Sequence, residues 1–195
     1  MGYKHSREEI LEKGSSIIQH QGYTNTGISD ILKALNIPKG TFYNFFDSKE
    51  EFVLEAIDIY ADKGLQLMKS LFDDPEKDAL GKLRSFYYDF MLRTNKDTQC
   101  RAACLINNLS YEMGAVNDII AERLDQHYSQ QVKTLAKVIK QGQKEGTIRD
   151  DQTASKLAEF IHTNAMGGMG RMKIRRSLQP LKNSIDMSFN YLLKK

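Results

Sequence analysis

Apolar residues recur along this chain at the 3.6-residue spacing of a helix, set among Glu, Lys, Leu and Ala, and there are only three Pro. The pattern predicts an all-α protein of about nine helices. Ser6-x-x-Glu9 is a capping box that opens a first helix with Ile10, Leu11, Gly14, Ile17 and Ile18 on its apolar face, ended by Gly22. Thr26 is an N-cap candidate for a second, in which Ile28, Ile31, Leu32 and Leu35 hold helical spacing until Asn36. Pro38 suits the first turn of a short third helix running to Phe46, closed by Asp47 and Ser48. Ser48-x-x-Glu51 opens a fourth, which runs to about Phe72 and is broken at Asp73-Asp74-Pro75. Beyond it the pattern predicts helices over about Pro75–Thr94, Cys100–Met113, Val116–Gly142, Asp151–Met172 (capped by Asp151 or Thr153) and Gln179–Leu193. The fourth is the only continuous link expected between an N-terminal head and the rest.

Two short helices joined by a tight turn make a helix-turn-helix. Its residues are Ile31, Ala34, Asn36-Ile37, Lys39-Gly40-Thr41-Phe42-Tyr43-Asn44-Phe45-Phe46, Asp47 and Ser48-Lys49-Glu50. They resemble the signature of the TetR family of bacterial transcriptional regulators, closely over about the first 50 residues and in layout thereafter. Asn36 stands where the family has a turn Gly, Pro38 for its usual Ser, and Asn44 for its common His. The first two keep the backbone geometry; the third alters a groove-facing side chain. The resemblance implies a DNA-binding domain over 1–47 and a helical ligand-binding and dimerisation domain over 48–195. It also implies that Thr41, Tyr43 and Lys49 hold phosphates of double-stranded operator DNA while Lys39 and Asn44 face the groove.

Charge does not add to this picture. Residues 1–47 hold Lys4, Arg7, Lys13, Lys33 and Lys39 against Glu8, Glu9, Glu12, Asp30 and Asp47, a balance of zero where a DNA-binding head is usually basic. DNA binding is therefore predicted from the motif and from the placement of Lys39, Lys49, Lys4 and Arg7. Phe42, Phe45 and Phe46 read either as a base-stacking platform or as the core of the head. No run of 18 apolar residues offers a membrane span, and the charged start MGYKHSREEI lacks the apolar segment of a signal peptide, so a cytoplasmic location is expected.

In the body, Leu80, Leu83, Phe86, Tyr87, Phe90 and Met91 share one helix face. Such a stripe is core, or, by the family's layout, the wall of a ligand pocket lined by Phe86, Tyr87 and Phe90. Leu157, Ile161, Asn164, Ala165 and Gly168 form one stripe of the last two helices, and Ile185, Ser188, Phe189 and Leu192 another. With small residues at Ala165, Gly167, Gly168 and Gly170, these predict a two-plus-two homodimer bundle. Catalytic constellations are missing: His5, His20, His127 and His162 are scattered, and Glu159-x-x-His162 is half of a di-metal pattern without its other half. No enzyme activity, cofactor or metal is predicted.

Cys100 and Cys104 are predicted one turn apart at the N-terminal end of the sixth helix, beside Arg101, where the helix dipole favours a thiolate. The stretch around Cys104, with Arg171 to Leu181, resembles the NemR-like, electrophile- and oxidant-responsive branch of the family. That likeness implies a sensing role for Cys104 with Lys173 as its partner; a buried, inert Cys104 is the other reading. Together these predict a homodimeric transcriptional regulator, a repressor released by a small-molecule or electrophile inducer. The alternative is a helical protein-interaction module that keeps the fold without binding DNA.

Overall fold

A computed structural model describes residues 6–100 and 104–195. Among them every regular element is helical. The chain divides into two compact units: residues 1–62 with 104–126, and 63–103 with 127–195.

The first unit begins with α1 (Arg7–Gln21), where Ser6 Oγ accepts from the Glu9 N–H at 3.2 Å and the Gly22 N–H closes on Ile18 O at 2.8 Å. In α2 (Ile28–Leu35) the N-cap is Gly27, whose N–H is taken by the Asp30 carboxylate at 2.7 Å. Thr26, expected there, is instead buried and donates its hydroxyl to Gly22 O at 2.7 Å. Asn36 ends α2 in the left-handed region with φ 52°. After Pro38, α3 (Lys39–Tyr43) is shorter than expected, because Asn44 and Phe45 already form a turn. In α4 (Lys49–Phe72) Ser48 Oγ accepts from Glu51 N at 3.0 Å, while the Glu51 carboxylate takes the N–H of Asp47, not of Ser48.

The residues of α4 up to Asp62 join this unit. So do α6 (Leu105–Met113) and the first turns of α7 (Asp118–Glu145). One core holds them: Ile10, Ile31, Phe42, Phe46, Phe52 and Ile57 cluster with Leu105, Leu109 and Ile120. Burying each of the three Phe rings stabilises by roughly 1.5–3 kcal/mol. Gly14 makes room for them, since a Cβ there would lie 2.6 Å from Phe52 Cζ.

In the second unit α5 is one helical run in three parts: Ala79–Arg84, a π-helical stretch Ser85–Leu92, and Arg93–Asp97. It starts at Ala79 and not at Pro75, because Asp78 Oδ1 accepts from Gly81 N at 2.7 Å and fixes the cap there. The helix expected from Cys100 begins only at Leu105; Gln99 and Cys100 sit at φ 53° and 59°, which a helix does not allow. The last two helices are α8 (Ala154–Arg175), capped by Thr153, and α9 (Gln179–Met187), which continues as a π turn over Ser188–Leu192. They pack on each other so closely at Gly168 that a Cβ would lie 2.7 Å from Ser184 Oγ and 3.1 Å from Leu181 Cα. α4 and α7 each contribute residues to both units.

Candidate functional site

Pro38 pre-sets φ at the start of α3, and burial of Phe42 (0% exposed) and Phe46 (1%) fixes its rotation. Those two rings lie 5.1 Å apart, each within 5.6 Å of the Phe52 ring, and Phe45 packs against the same core. The aromatic cluster is thus structural and presents no base-stacking platform.

With Phe42 turned inward, Lys39, Gly40, Tyr43 and Asn44 are left on the outer side of α3, all exposed, with Thr41 half-buried beside them. The Lys39 ammonium lies 5.5 Å from the Tyr43 ring centroid, so cation and phenol stand together. No atom lies within 4 Å of where a Cβ of Gly40 would project, which leaves the backbone there open to close approach.

Lys49 is placed differently from the expectation. Its ammonium donates to the Tyr23 carbonyl and lies 3.8 Å from the Tyr23 ring centroid, half-buried. Burial lowers its pKa, opposed by the nearby carboxylates of Glu112 and Asp30. It therefore holds the α1–α2 turn and does not stand free for a phosphate. Arg7 is likewise engaged, forked onto the Glu55 carboxylate and 5.0 Å from the Phe46 ring centroid, and Lys13 pairs with Glu9. Lys4 and Arg101 lie outside the described residues.

A contact that sequence reasoning missed meets the same turn. The Glu112 carboxylate, from α6, accepts from Tyr23 N at 2.8 Å and Thr24 N at 2.5 Å. Burial pushes the Glu112 pKa up, but those hydrogen bonds and Lys49 outweigh it and the net shift is downward. The partners are 89 and 88 positions apart, so no local pattern announces them.

Cys104 is the N-cap of α6, not a residue of its second turn, so it and Cys100 do not share a helix face. Its thiol is pushed up, not down: burial outweighs the hydrogen bonds from Asn107 and Ile106 N–H and from the Tyr60 hydroxyl. Tyr60 itself is raised well above its ordinary value by burial and by the sulfur beside it. Cys104 belongs to the first unit; Cys100, buried, and Lys173 belong to the second.

Of the expected pocket wall, Phe86 (5% exposed) and Tyr87 (0%) are buried in the interior of the unit, and Phe90 lines a surface groove of about 240 Å³ with Leu67, Leu71, Asp89 and Arg93. The expected dimer residues are also corrected. Leu157, Ile161, Ala165, Gly168, Ile185 and Phe189 are all buried within the single chain, Gly168 against Ser184 and Leu181 of α9 and Phe189 against Tyr87 and Tyr88 of α5. The faces left open carry Phe160 (56% exposed) and Ile174 (73%) on α8, and Met187 (56%) on α9 with Tyr191 (68%) one turn on. Gly167 lies exposed between Phe160 and Ile174, with nothing within 4 Å of a projected Cβ. Glu159 is exposed and His162 buried, so they do not form a metal pair, and among the described residues no group of three metal-ligating side chains occurs. None of the described helices is long and apolar enough to cross a membrane.

Comparison with known proteins agrees with this layout. Residues 10–56 match the family of "Bacterial regulatory proteins, tetR family", and residues 79–187 match "Tetracyclin repressor-like, C-terminal domain". The chain is 30% identical to the HTH-type transcriptional repressor DhaR of Mycobacterium sp. (strain GP1) over 187 residues, 96% of this chain and 92% of DhaR. Among solved structures it is similar to regulatory protein TetR from Rhodobacter sphaeroides, with a TM-score of 0.88 and 27% identity over 93% of this chain and 96% of that one. The reduced form of E. coli NemR shares the fold with a TM-score of 0.83 at 22% identity, over 94% of this chain and 95% of NemR.

Proposed function

The chain belongs to the TetR family, DNA-binding transcriptional regulators and not enzymes, and from that premise we propose that it is a homodimeric repressor released from its operator by a small-molecule effector bound in its C-terminal body. The observation that carries the DNA-binding part is the outward strip of α3, where Lys39, Gly40, Tyr43 and Asn44 are exposed around a buried Phe42. Tyr43 and Thr41 hold phosphates; Lys39 and Asn44 face the major groove. Lys49, tied to the Tyr23 carbonyl, positions the turn that precedes α2. The DNA-reading part is residues 1–47, and the protein acts in the cytoplasm, where operator DNA is found.

TetR regulators bind operators as dimers. The partner-facing surface in this chain is the exposed stripe Phe160, Gly167 and Ile174 of α8 with Met187 and Tyr191. Gly167 permits close approach of a second copy's helix. A twofold dimer then meets half-sites one helical turn, or a multiple of it, apart. The raised Cys104 thiol favours a non-covalent effector over thiol modification as the release signal.

The test is selection of bound fragments from genomic DNA followed by gel shift. A near-palindromic site bound at nanomolar concentration is expected for wild type and lost in a Tyr43→Ala, Asn44→Ala double variant. A folded protein that retains no genomic fragment would leave the helical interaction module as the reading.

A further inference from the structure

The interior of the second unit holds polar side chains of two kinds. Ser85, Asn95 and Ser188 are buried but satisfied by their own helices, bonding to Gly81 O at 3.1 Å, Met91 O at 2.9 Å and Ser184 O at 2.9 Å. Tyr87 and His162 are not. Tyr87 is 0% exposed and His162 1%, and neither the phenol oxygen nor either imidazole nitrogen has a hydrogen-bond partner. Buried polar groups left unpaired are rare and costly, and mark where a further group belongs.

The two orphans share a neighbour. The Tyr128 ring centroid lies 4.9 Å from that of His162, and the Tyr128 phenol is near enough to Tyr87 for its charge to oppose ionisation there. The Tyr128 hydroxyl is already bonded to Thr163 Oγ1 at 2.5 Å. Tyr87 is carried on the π-helical stretch Ser85–Leu92, a local widening that recurs at functional sites. Around Tyr87 the surroundings are apolar, with Phe86 at 5.0 Å and Phe189 at 5.9 Å between ring centroids.

Chemistry narrows what fits. Burial alone drives His162 toward the neutral form, burial is the larger cause at Tyr87, and no carboxylate, ammonium or guanidinium contributes to the shift of either group. A carboxylate or ammonium ligand would then lose its hydration with no counter-charge to replace it. A neutral imidazole offers one donor and one acceptor, and a phenol offers a donor with spare acceptor capacity. We infer that Tyr87 and His162 form the polar end of the effector site, taking a small uncharged molecule that carries both a hydroxyl or amide donor and a carbonyl or hydroxyl acceptor. This rests on the reading of the chain as an effector-released regulator.

Hydroxyacetone and acetamide are the neutral probes, and propionate is the charged control of similar size. Full-length protein is titrated with each while long-range ¹H–¹⁵N correlations of the His162 ring, assigned by their loss in His162→Leu, are followed. Either neutral probe should move the His162 nitrogens saturably and release operator in a gel shift, and propionate at equal concentration should do neither. Tyr87→Phe, which keeps every ring contact, should weaken probe binding about tenfold, the value of one hydrogen bond. The inference is overturned if neither neutral probe moves the His162 signals, if Tyr87→Phe binds them as well as wild type, or if propionate binds more tightly. An ordered water bridging Tyr87 and His162 that neither neutral probe displaces would overturn it too. Operator binding without probe separates the failures: if it persists while the probes are inert, only this inference falls, and if it is absent, the regulator reading falls.

Discussion

Acid should weaken the apo protein in a way that can be traced to His162. Burial holds the His162 pKa at about 4, below its ordinary 6.5, so the folded state resists a proton that the unfolded chain accepts. As pH falls through the unfolded value, unfolding takes up a proton and stability drops; the loss levels off only below the folded value, near 4. Between pH 7 and pH 5 the loss works out at about 2 kcal/mol, from about 1.4 kcal/mol per pKa unit. Asp186 and Glu112, whose pKa values are also depressed, lose stability over a partly overlapping acid range, so a wild-type curve alone does not isolate the imidazole. His162→Leu does. Leucine is close to histidine in volume and removes a polar group that has no partner, so at pH 7 the variant should lie within about 1 kcal/mol of wild type. Urea unfolding of both proteins at pH 7, 6 and 5 gives the difference directly. The wild type should lose about 2 kcal/mol more than the variant across that interval. Parallel curves would refute the reasoning, since they would mean that His162 is solvated or partnered in the folded state.

Tyr43→Phe, which removes a phosphate contact, should weaken operator binding about equally across sequences, whereas Asn44→Ala should relax preference at one or two positions by about 1–3 kcal/mol. A changed preference for Tyr43→Phe, with uniform weakening for Asn44→Ala, would reverse the roles. Phe160→Asp combined with Met187→Asp should give a folded monomer in sedimentation and abolish operator binding, while a dimer that survives both would place the partner elsewhere. Glu112→Ala leaves the Tyr23 and Thr24 N–H groups without their acceptor and should cost about 1–3 kcal/mol of stability, read as a lower urea midpoint with unchanged m. The half-buried Cys104 thiol, its pKa pushed up by desolvation, should label with iodoacetamide at pH 7 more slowly than a cysteine in an unfolded peptide; equal rates would contradict the upward shift.

What could be read in the chain depended on how far each determinant lay from its partner. The Ser6, Ser48 and Thr153 caps and the Asn36 turn are settled within three residues of themselves, and they stand where the pattern predicted. Thr26 failed as a cap because its hydroxyl found Gly22 O one turn back, a local competition that residue type does not decide. Cys104 does stand at a helix N-terminus, yet the sign of its shift is set by burial, and what surrounds the sulfur, Tyr60 included, is not local in sequence. The tie from Glu112 to the α1–α2 turn is of the same long-range kind.

The dimer stripes failed for a further reason. Helical periodicity tells that a face is covered but not what covers it. Leu157, Ile161 and Ala165 repeat strongly because they are buried within their own chain, whereas the open face alternates Phe160, Gly167 and Ile174 with the polar Thr163 and Arg171. A surface that must be wetted before assembly keeps such polar positions, so the strongest apolar stripe on a helix marks its own chain's core first. An interface between copies is then better sought in the weaker stripe beside it, where a small residue leaves room for a second backbone.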